Sequence, residues 1–132
     1  MGPEGGALKS MYPAFFMGVG GPIMPGTQNF PWVHLDDVTQ IWMHALGNSA
    51  VEGVINGVAP QKITSKVFAQ NFGSVLRRPA ILPVPEFAVK LMFGATRATM
   101  LTHGQKVNPT KTIQSGYRFK YSDIYNALQT CI

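Results

Sequence analysis

A short β-branched segment, Glu52 to Val58, limits the folds open to this chain, and turn residues lie on both sides of it. Its composition predicts a buried strand. A parallel strand is buried on both faces and needs neighbouring strands, yet the sequence contains few other extended segments, all of them short. We therefore expect only part of a sheet here. The chain is then either the second half of a larger α/β protein or a unit that pairs with another chain.

Helical patterns fill most of the first half around this segment. Gly5 to Met17 has a helical composition, but Pro13 is expected to kink or end that helix. Asp36 or Asp37 is expected to cap the next helix, because a side-chain oxygen there accepts a hydrogen bond from the first turn. Gly47 is expected to close it. The apolar positions of this helix recur with a helical period: Val38, Ile41, Trp42, Ala45 and Leu46.

The second half predicts four more helices. Thr64 is expected to cap one helix with an apolar face formed by Val67, Phe68, Phe72, Val75 and Leu76. Pro85 suits the first turn of another, whose inward residues are predicted to be Phe87, Ala88, Leu91 and Met92. A short helix is expected over Arg97 to Thr102. Ser122 is expected to cap the last helix, which covers Ile124, Ala127 and Leu128.

Composition excludes several classes of protein. Charged residues make up only 13% of the chain and aromatic residues 11%, which argues against disorder. The single cysteine, Cys131, excludes a disulfide scaffold and a thiolate metal site. The longest stretch without charged residues, 10–35, contains four prolines and therefore does not predict a membrane-spanning helix. Residues 1–9 do not resemble a signal peptide, so we expect an intracellular location, cytoplasmic or mitochondrial.

Positive charge is concentrated in the second half of the chain. No acidic residue lies between Glu86 and Asp123, whereas six lysines and arginines do. We favour a solvated basic surface for this interval, while binding of an anionic small molecule, through its phosphate or carboxylate groups, and contact with a nucleic acid stay open as alternatives. Aromatic and basic residues alternate over Tyr117 to Tyr121. For that segment we favour an amphipathic strand over a base-stacking platform.

The motifs of a complete nucleotide-binding enzyme are missing from the sequence. Gly18 to Ile23 begins like a dinucleotide-binding turn, but Ile23 stands at the position of the third glycine, and nearby prolines prevent a helix from starting there. A P-loop, a Ser nucleophile elbow and a Tyr-x-x-x-Lys pair are also missing. The sequence therefore assigns no catalytic residue, and no metal ligand, to this chain.

Two clusters of polar residues stay open to more than one interpretation. His34 with Asp36 and Asp37 fits an acid/base cluster, or a helix cap beside a structural histidine, and we favour the cap. Gln105 and Lys106 lie in a Gly-, Asn- and Pro-containing segment, which predicts either a loop that reaches a ligand or a plain surface loop.

The order of several short motifs resembles the C-terminal half of epimerase family proteins. These are a sugar-nucleotide epimerase-like, atypical branch of the extended short-chain dehydrogenases/reductases. Phe30 to Val38 is similar to their Trp-Ile-His-x-x-Asp motif. Similarity continues through four later segments: Gly53 to Pro60, Arg78 to Pro85, Gly104 to Pro109 and Ser115 to Phe119. One departure is Ala95, where relatives usually have Glu, so no acidic role is assigned there.

The resemblance implies an α/β fold class. The chain would be the C-terminal portion of an extended Rossmann-type fold, mostly helical with a few short strands and lacking the N-terminal nucleotide-binding half. Residues 1–60 would contain the end of the Rossmann-like domain, and residues 61–132 a small helical substrate-side domain. The resemblance also implies NADP as the cofactor of the full-length protein, and we expect none to bind this chain alone.

The resemblance also implies where a substrate binds. Gln28, Phe30 and Trp32 would line the substrate pocket. Lys106 is expected to contact the substrate as well and to neutralise its phosphate. Structural roles are assigned to four residues: His34, Asp36 and Asp37 in the motif, and Asn56 at the end of the last sheet strand.

The expected function follows from that assignment. The chain is predicted to be the substrate-side C-terminal fragment of an NADP-dependent sugar-nucleotide epimerase/oxidoreductase-like protein, inactive alone. Its substrate would be a nucleotide-linked or phosphorylated small molecule. The alternative is a non-catalytic interaction module that pairs through exposed apolar surface, with itself or with the missing half. We expect neither a nucleic acid nor a membrane as partner.

Overall fold

A computed structural model describes all 132 residues and consists mainly of helices. The seven helices are α1 (Gly6–Phe16), α2 (Leu35–Gly47), α3 (Ser65–Leu76), α4 (Glu86–Phe93), α5 (Ala95–His103), α6 (Thr110–Gln114) and α7 (Ile124–Thr130). β-structure is limited to isolated bridges, which join Gly2 to Gly5, Ile23 to Val84 and Asn29 to Thr64. The predicted fold class, mostly helical with little strand, is confirmed.

The core forms where α3 packs against α1 and α7. Phe72 of α3 is fully buried, and its ring centroid lies 4.6 Å from that of Phe15 in α1. Ala127 and Leu128 of α7 are fully buried in the same cluster. This cluster takes residues from both sides of position 60, and the division into two domains there stays a prediction.

Helix α1 continues through Pro13 to Phe16, so proline does not end it as one of our expectations allowed. A proline inside a helix removes one hydrogen bond to the carbonyl four residues earlier. Pro13 and Lys9 both lie on the exposed side of α1. The Lys9 carbonyl that loses its partner is therefore on the solvent side of the helix, where the loss costs little, and the helix extends far enough to bury Phe15.

The prediction of a buried strand over 52–58 is wrong. The segment belongs to no strand, and Val54 is 82% exposed. Only its last residue, Val58, is buried. The reason is that no other strand lies beside the segment, so nothing pairs with its backbone or covers its faces.

The apolar face of α2 is exposed as well. Ile41 is buried, but Trp42 is 67% exposed and Leu46 83%. Between this face and the 52–58 segment lies a groove of about 450 Å³, which we call the α2 groove. Seven of its nine lining residues are hydrophobic: Val38, Ile41, Trp42, Ala45, Val51, Val54 and Ile55. A helix face of this kind normally packs against a protein layer.

Tyr117 to Tyr121 does not form the predicted strand. The segment alternates as predicted, because its three aromatic residues are half-buried and the two basic residues between them are exposed. Its backbone is held by a carboxylate rather than by a strand ladder: the N–H groups of Lys120 and Tyr121 donate to Asp37.

The predicted inward face of α4 is also wrong. Phe87 is 73% exposed and Leu91 87%, whereas Val89 is buried and Phe93 packs against the core. Apolar residues occur all around this eight-residue helix, so its periodicity does not select one face. The choice is made by packing against α5 and the core.

The N-cap residue was predicted correctly for α3, whereas α2 and α7 are capped by residues other than the predicted ones. Thr64 caps α3 as expected, because its hydroxyl accepts from the N–H of Val67. The last helix, α7, is capped by Asp123 and not by Ser122. Helix α2 is capped by His34 and not by an aspartate.

Candidate functional site

Two adjoining clefts lie at the carboxyl end of the 52–58 segment. Asn56, Gly57 and Val58 line one of them, and Val58 and Ala59 line the other. Open α/β sheets bind ligands outside the carboxyl ends of their strands. If the segment joins a sheet, the two clefts lie where that sheet would bind its ligand.

An antiparallel pairing of loop segments builds the wall of both clefts. The N–H of Phe30 donates to the Ile63 carbonyl at 2.8 Å, and the N–H of Ala59 donates to the Trp32 carbonyl at 2.7 Å. Residues 29–33 therefore run beside residues 59–64. This pairing joins the end of the unpaired segment to the loop that precedes α2.

The first cleft, which we call the apolar cleft, has a volume of about 390 Å³ and a largely hydrophobic lining. Phe30 is buried there, and its ring stacks on that of Phe68 with centroids 4.4 Å apart. Trp32 is only 4% exposed, and its indole N–H donates to the Gln61 carbonyl at 3.0 Å. Both aromatic rings are therefore held in fixed orientations.

The second cleft, which we call the basic cleft, contains Lys62 and Lys106. Both lysines are exposed, and neither takes part in a salt bridge. The loop that carries Lys106 begins at Gly104, where φ is +62° and a Cβ atom would lie 2.5 Å from the Asn29 carbonyl oxygen. Glycine at 104 thus lets this loop approach the cleft wall.

The structure brings together three of the four predicted substrate-binding residues. Phe30 lines both clefts, Trp32 lines the apolar cleft and Lys106 lines the basic cleft. Lys62 was not predicted. Nothing in the sequence around it distinguishes it from other surface lysines, and only the pairing of residues 29–33 with 59–64 brings it beside Lys106.

Gln28, the fourth predicted residue, lines neither cleft. Its amide nitrogen donates to the carbonyls of Ile23 at 3.0 Å and Leu101 at 3.1 Å. Its amide oxygen is buried without a hydrogen-bond partner. Gln28 therefore ties the glycine-rich loop to the end of α5, and its role toward a substrate stays a prediction.

His34 connects the start of α2 to α7. Its Nδ1 accepts from the N–H of Asp36 at 3.1 Å, and its Nε2 lies 3.1 Å from the Thr130 hydroxyl. Burial lowers the pKa of His34, with the Asp36 carboxylate opposing this effect to a lesser degree. A neutral ring with its proton on Nε2 fits both contacts. His34 lines neither cleft.

Asp37 is fully buried and binds the segment before α7. Its carboxylate accepts from the Tyr117 hydroxyl at 2.7 Å, the Lys120 N–H at 2.8 Å and the Tyr121 N–H at 2.9 Å. Burial raises the pKa of Tyr117, and the hydrogen bond to Asp37 adds to the shift. Asp36 is exposed instead and forms a salt bridge with Lys120 at 3.1 Å.

Asn56 joins the 52–58 segment to the residues around α6. Its amide nitrogen donates to the Asn108 carbonyl at 3.0 Å, and its own carbonyl accepts from the Thr112 hydroxyl at 2.8 Å. These bonds hold the carboxyl end of the segment in place, although no strand pairs with it.

The Gly18 to Ile23 loop is filled by protein rather than open to a phosphate. A Cβ atom at Gly20 would lie 2.5 Å from the Phe15 ring, and one at Gly21 would lie 1.9 Å from the Leu82 carbonyl oxygen. These glycines allow close packing. The packing around this loop therefore does not fit the pyrophosphate of a dinucleotide.

Other kinds of site are not found in the structure. No group of three or more His, Cys, Asp or Glu side chains is arranged to hold a metal ion. Cys131 is buried, and burial raises the pKa of its thiol, which disfavours the reactive thiolate. None of the helices has the length and apolar composition needed to cross a membrane.

Comparisons with known proteins confirm the resemblance found in the sequence. The chain is 44% identical over 133 residues to epimerase family protein SDR39U1 of Bos taurus, a match that covers all of this chain and 45% of the relative. The chain thus spans less than half the length of this relative. Residues 84–131 match a family model described as a domain of unknown function, DUF1731.

Solved structures give the same result for the fold. Human epimerase family protein SDR39U1 (isoform 2), solved with NADPH, superposes with a TM-score of 0.92 at 44% identity and covers 99% of this chain and 45% of that one. A nucleoside-diphosphate sugar epimerase from Corynebacterium glutamicum superposes with a TM-score of 0.72 at 23% identity, over 99% of this chain and 24% of that one. The second likeness concerns the fold alone.

Proposed function

Because the chain matches the C-terminal part of epimerase family proteins over its whole length, we propose that it supplies the substrate side of an NADP-dependent epimerase- or oxidoreductase-like protein. Its partner is the N-terminal, nucleotide-binding part of such a protein. The observation that carries the proposal is the α2 groove beside an unpaired apolar segment. A sheet layer is the element that buries both at once.

The N-terminal part and this chain have different roles in the proposed protein. NADPH, when bound by the N-terminal part, supplies the hydride chemistry, which side chains do not provide. This chain contributes the two clefts, where the indole of Trp32 gives an apolar wall and Lys106 neutralises the phosphate of a nucleotide-linked or phosphorylated substrate. Since the chain has no dinucleotide turn of its own, it is inactive alone.

A pairing experiment tests this function. The chain is mixed with the N-terminal part of the bovine relative, and complex formation is followed by calorimetry and gel filtration. We expect a stable complex that binds NADPH, and no NADPH binding by this chain alone. Micromolar binding of NADPH to the isolated chain would contradict the proposal.

A matched pair of variants locates the contact. Leu46→Glu places a charge beside the α2 groove, and Leu91→Glu places one on α4, outside that groove; both residues are more than 80% exposed, at 83% and 87%. Pairing is expected to weaken by at least about tenfold in Leu46→Glu and to stay unchanged in Leu91→Glu. Equal weakening by both would contradict the assignment of the groove.

An exposed apolar surface on α4 and on the segment before it favours a second candidate, the non-catalytic interaction module. Ile81, Phe87 and Leu91 are all exposed, and none of them lines the α2 groove. A self-association detected by gel filtration and abolished by Leu91→Glu alone would support this second function. An intracellular location, cytoplasmic or mitochondrial, stays a prediction for both.

A further inference from the structure

The apolar and basic clefts form one continuous depression. Four residues line both of them: Phe30, Pro31, Val58 and Val107. One end of the depression is therefore hydrophobic, and the other end carries Lys62 and Lys106. A ligand that spans these four shared residues meets both environments.

We propose that this depression binds a phosphorylated amphiphile, a molecule with an apolar body and one phosphate head, rather than a sugar phosphate. The body lies in the apolar cleft and the phosphate lies between Lys62 and Lys106. The proposal names a substrate class for the proposed function and rests on it for the use of the site, although binding itself is a property of this chain.

The lining of the apolar cleft argues for the apolar body. Leu8, Met11, Trp32, Phe68 and Leu101 surround it, and its volume of about 390 Å³ is in the range of small-molecule sites. Each sugar hydroxyl buried there would need a hydrogen-bond partner.

Such partners are nearly absent from the apolar cleft. The one side-chain amide in its lining is that of Asn56, whose nitrogen already donates to the Asn108 carbonyl. The indole N–H of Trp32 donates to the Gln61 carbonyl, and the Met1 ammonium donates to the Val33 carbonyl. A ring rich in hydroxyls would therefore leave most of them unsatisfied.

The charges of the basic cleft argue for the phosphate. No acidic residue lines the cleft, and neither Lys62 nor Lys106 takes part in a salt bridge. The neighbouring amide of Gln61 is engaged, because it donates to Asp123 at 3.3 Å and accepts from the Ile124 N–H at 2.7 Å. The two ammonium groups are thus left to attract an anion.

The two tryptophans make the binding site observable. Trp32 lines the apolar cleft and Trp42 lines the α2 groove, and the chain contains no other tryptophan. Their indole N–H resonances are assigned with the Trp42→Phe variant. Octyl phosphate is expected to shift the Trp32 resonance in a saturable way and to leave that of Trp42 in place. A shift of the Trp42 resonance alone would overturn the proposal.

Comparison ligands and variants test each end of the ligand. Glucose 1-phosphate and octanol, which lack the apolar body and the phosphate respectively, are each expected to bind at least about tenfold more weakly than octyl phosphate. The double variant Lys62→Ala/Lys106→Ala is expected to bind octyl phosphate about tenfold more weakly than the unchanged protein does. The control variant Lys9→Ala/Lys66→Ala removes the same charge outside both clefts, and it is expected to bind octyl phosphate with unchanged affinity.

Two results would overturn the substrate class. One is binding of glucose 1-phosphate as tight as that of octyl phosphate. The other is equal affinity in the two lysine variants. Neither result bears on pairing with an N-terminal part, which is measured with Leu46→Glu, so that failure of this inference is distinguishable from failure of the proposed function.

Discussion

The Tyr117 hydroxyl donates a hydrogen bond of 2.7 Å to the fully buried carboxylate of Asp37. Two backbone N–H groups, those of Lys120 and Tyr121, donate to the same carboxylate. One side chain in the first turn of α2 therefore holds the chain that leads into α7. The Asp37 carboxylate thus joins the start of α2 to residues that lie 80 or more positions later in the sequence.

Asp37→Ala is expected to destabilise the protein by about 3 kcal/mol or more, because three donors lose their acceptor and each unsatisfied buried group costs about 1–3 kcal/mol. The neighbouring Asp36→Ala removes only an exposed salt bridge to Lys120, and it is expected to cost less than about 1 kcal/mol. Urea unfolding of both variants checks this. Equal losses would show that Asp37 does not organise the segment.

The stability of the protein is expected to fall as the pH is lowered from about 7 to about 5. Burial lowers the pKa of His34 below its ordinary value of 6.5. The unfolded chain therefore binds a proton at this residue before the folded protein does, and acidification favours unfolding. The contribution of His34 to stability is therefore fully present above the pKa that this residue has in the unfolded chain. It is lost as the pH falls toward the lower pKa that His34 has in the folded protein.

His34→Asn provides the control for this pH dependence. Asparagine also caps helices but does not titrate. Denaturant unfolding measured across that pH range is expected to show a shallower loss of stability in the variant. A slope identical to that of the wild-type protein would assign the effect to other groups.

Gly104→Ala is expected to destabilise the protein by about 1–3 kcal/mol. The backbone there has φ of +62°, and a Cβ atom would approach the Asn29 carbonyl oxygen to 2.5 Å. Gly47→Ala is the matched control, since a Cβ atom there meets nothing within 4 Å; it is expected to change stability by less than about 0.5 kcal/mol. Thermal melting of the two variants compares them directly.

The orientation of α4 is tested by two truncations. Val89→Ala removes two buried methyl groups and is expected to cost about 2 kcal/mol. Phe87→Ala removes a larger side chain that is 73% exposed, and it is expected to cost less than about 0.5 kcal/mol. A larger loss in Phe87→Ala, measured by the same unfolding assay, would restore the inward face predicted from the periodicity.

The sequence located the elements that depend on local interactions. The Thr64 cap, the apolar face of α3 and the end of α2 at Gly47 all agree with the structure, because turns, caps and helical periods involve residues close together in the chain. The scarcity of strands was also predictable, since the sequence contains few extended segments, but the one strand expected to be buried, over 52–58, does not form.

The site was only partly predictable. Phe30 and Trp32 were expected from a family resemblance and Lys106 from its charge and its loop, and the structure brings the three to one depression. Lys62 was missed, because its position beside Lys106 depends on a loop pairing that no local pattern indicates. Asp37 was predicted only as a candidate helix cap and a structural residue of the motif, whereas in the structure it is buried and its partners lie near the other end of the chain.

Local patterns in the sequence thus predicted six of the seven helices, all except α6 (Thr110–Gln114), and the sequence itself shows which of their residues are apolar. Three features depend on the folded chain: Val89 rather than Phe87 faces the core, His34 rather than an aspartate caps α2, and two lysines lie in one cleft. The physical reason is that helical periodicity arises between near neighbours, whereas burial and charge grouping depend on contacts between distant segments, which exist only after the chain has folded.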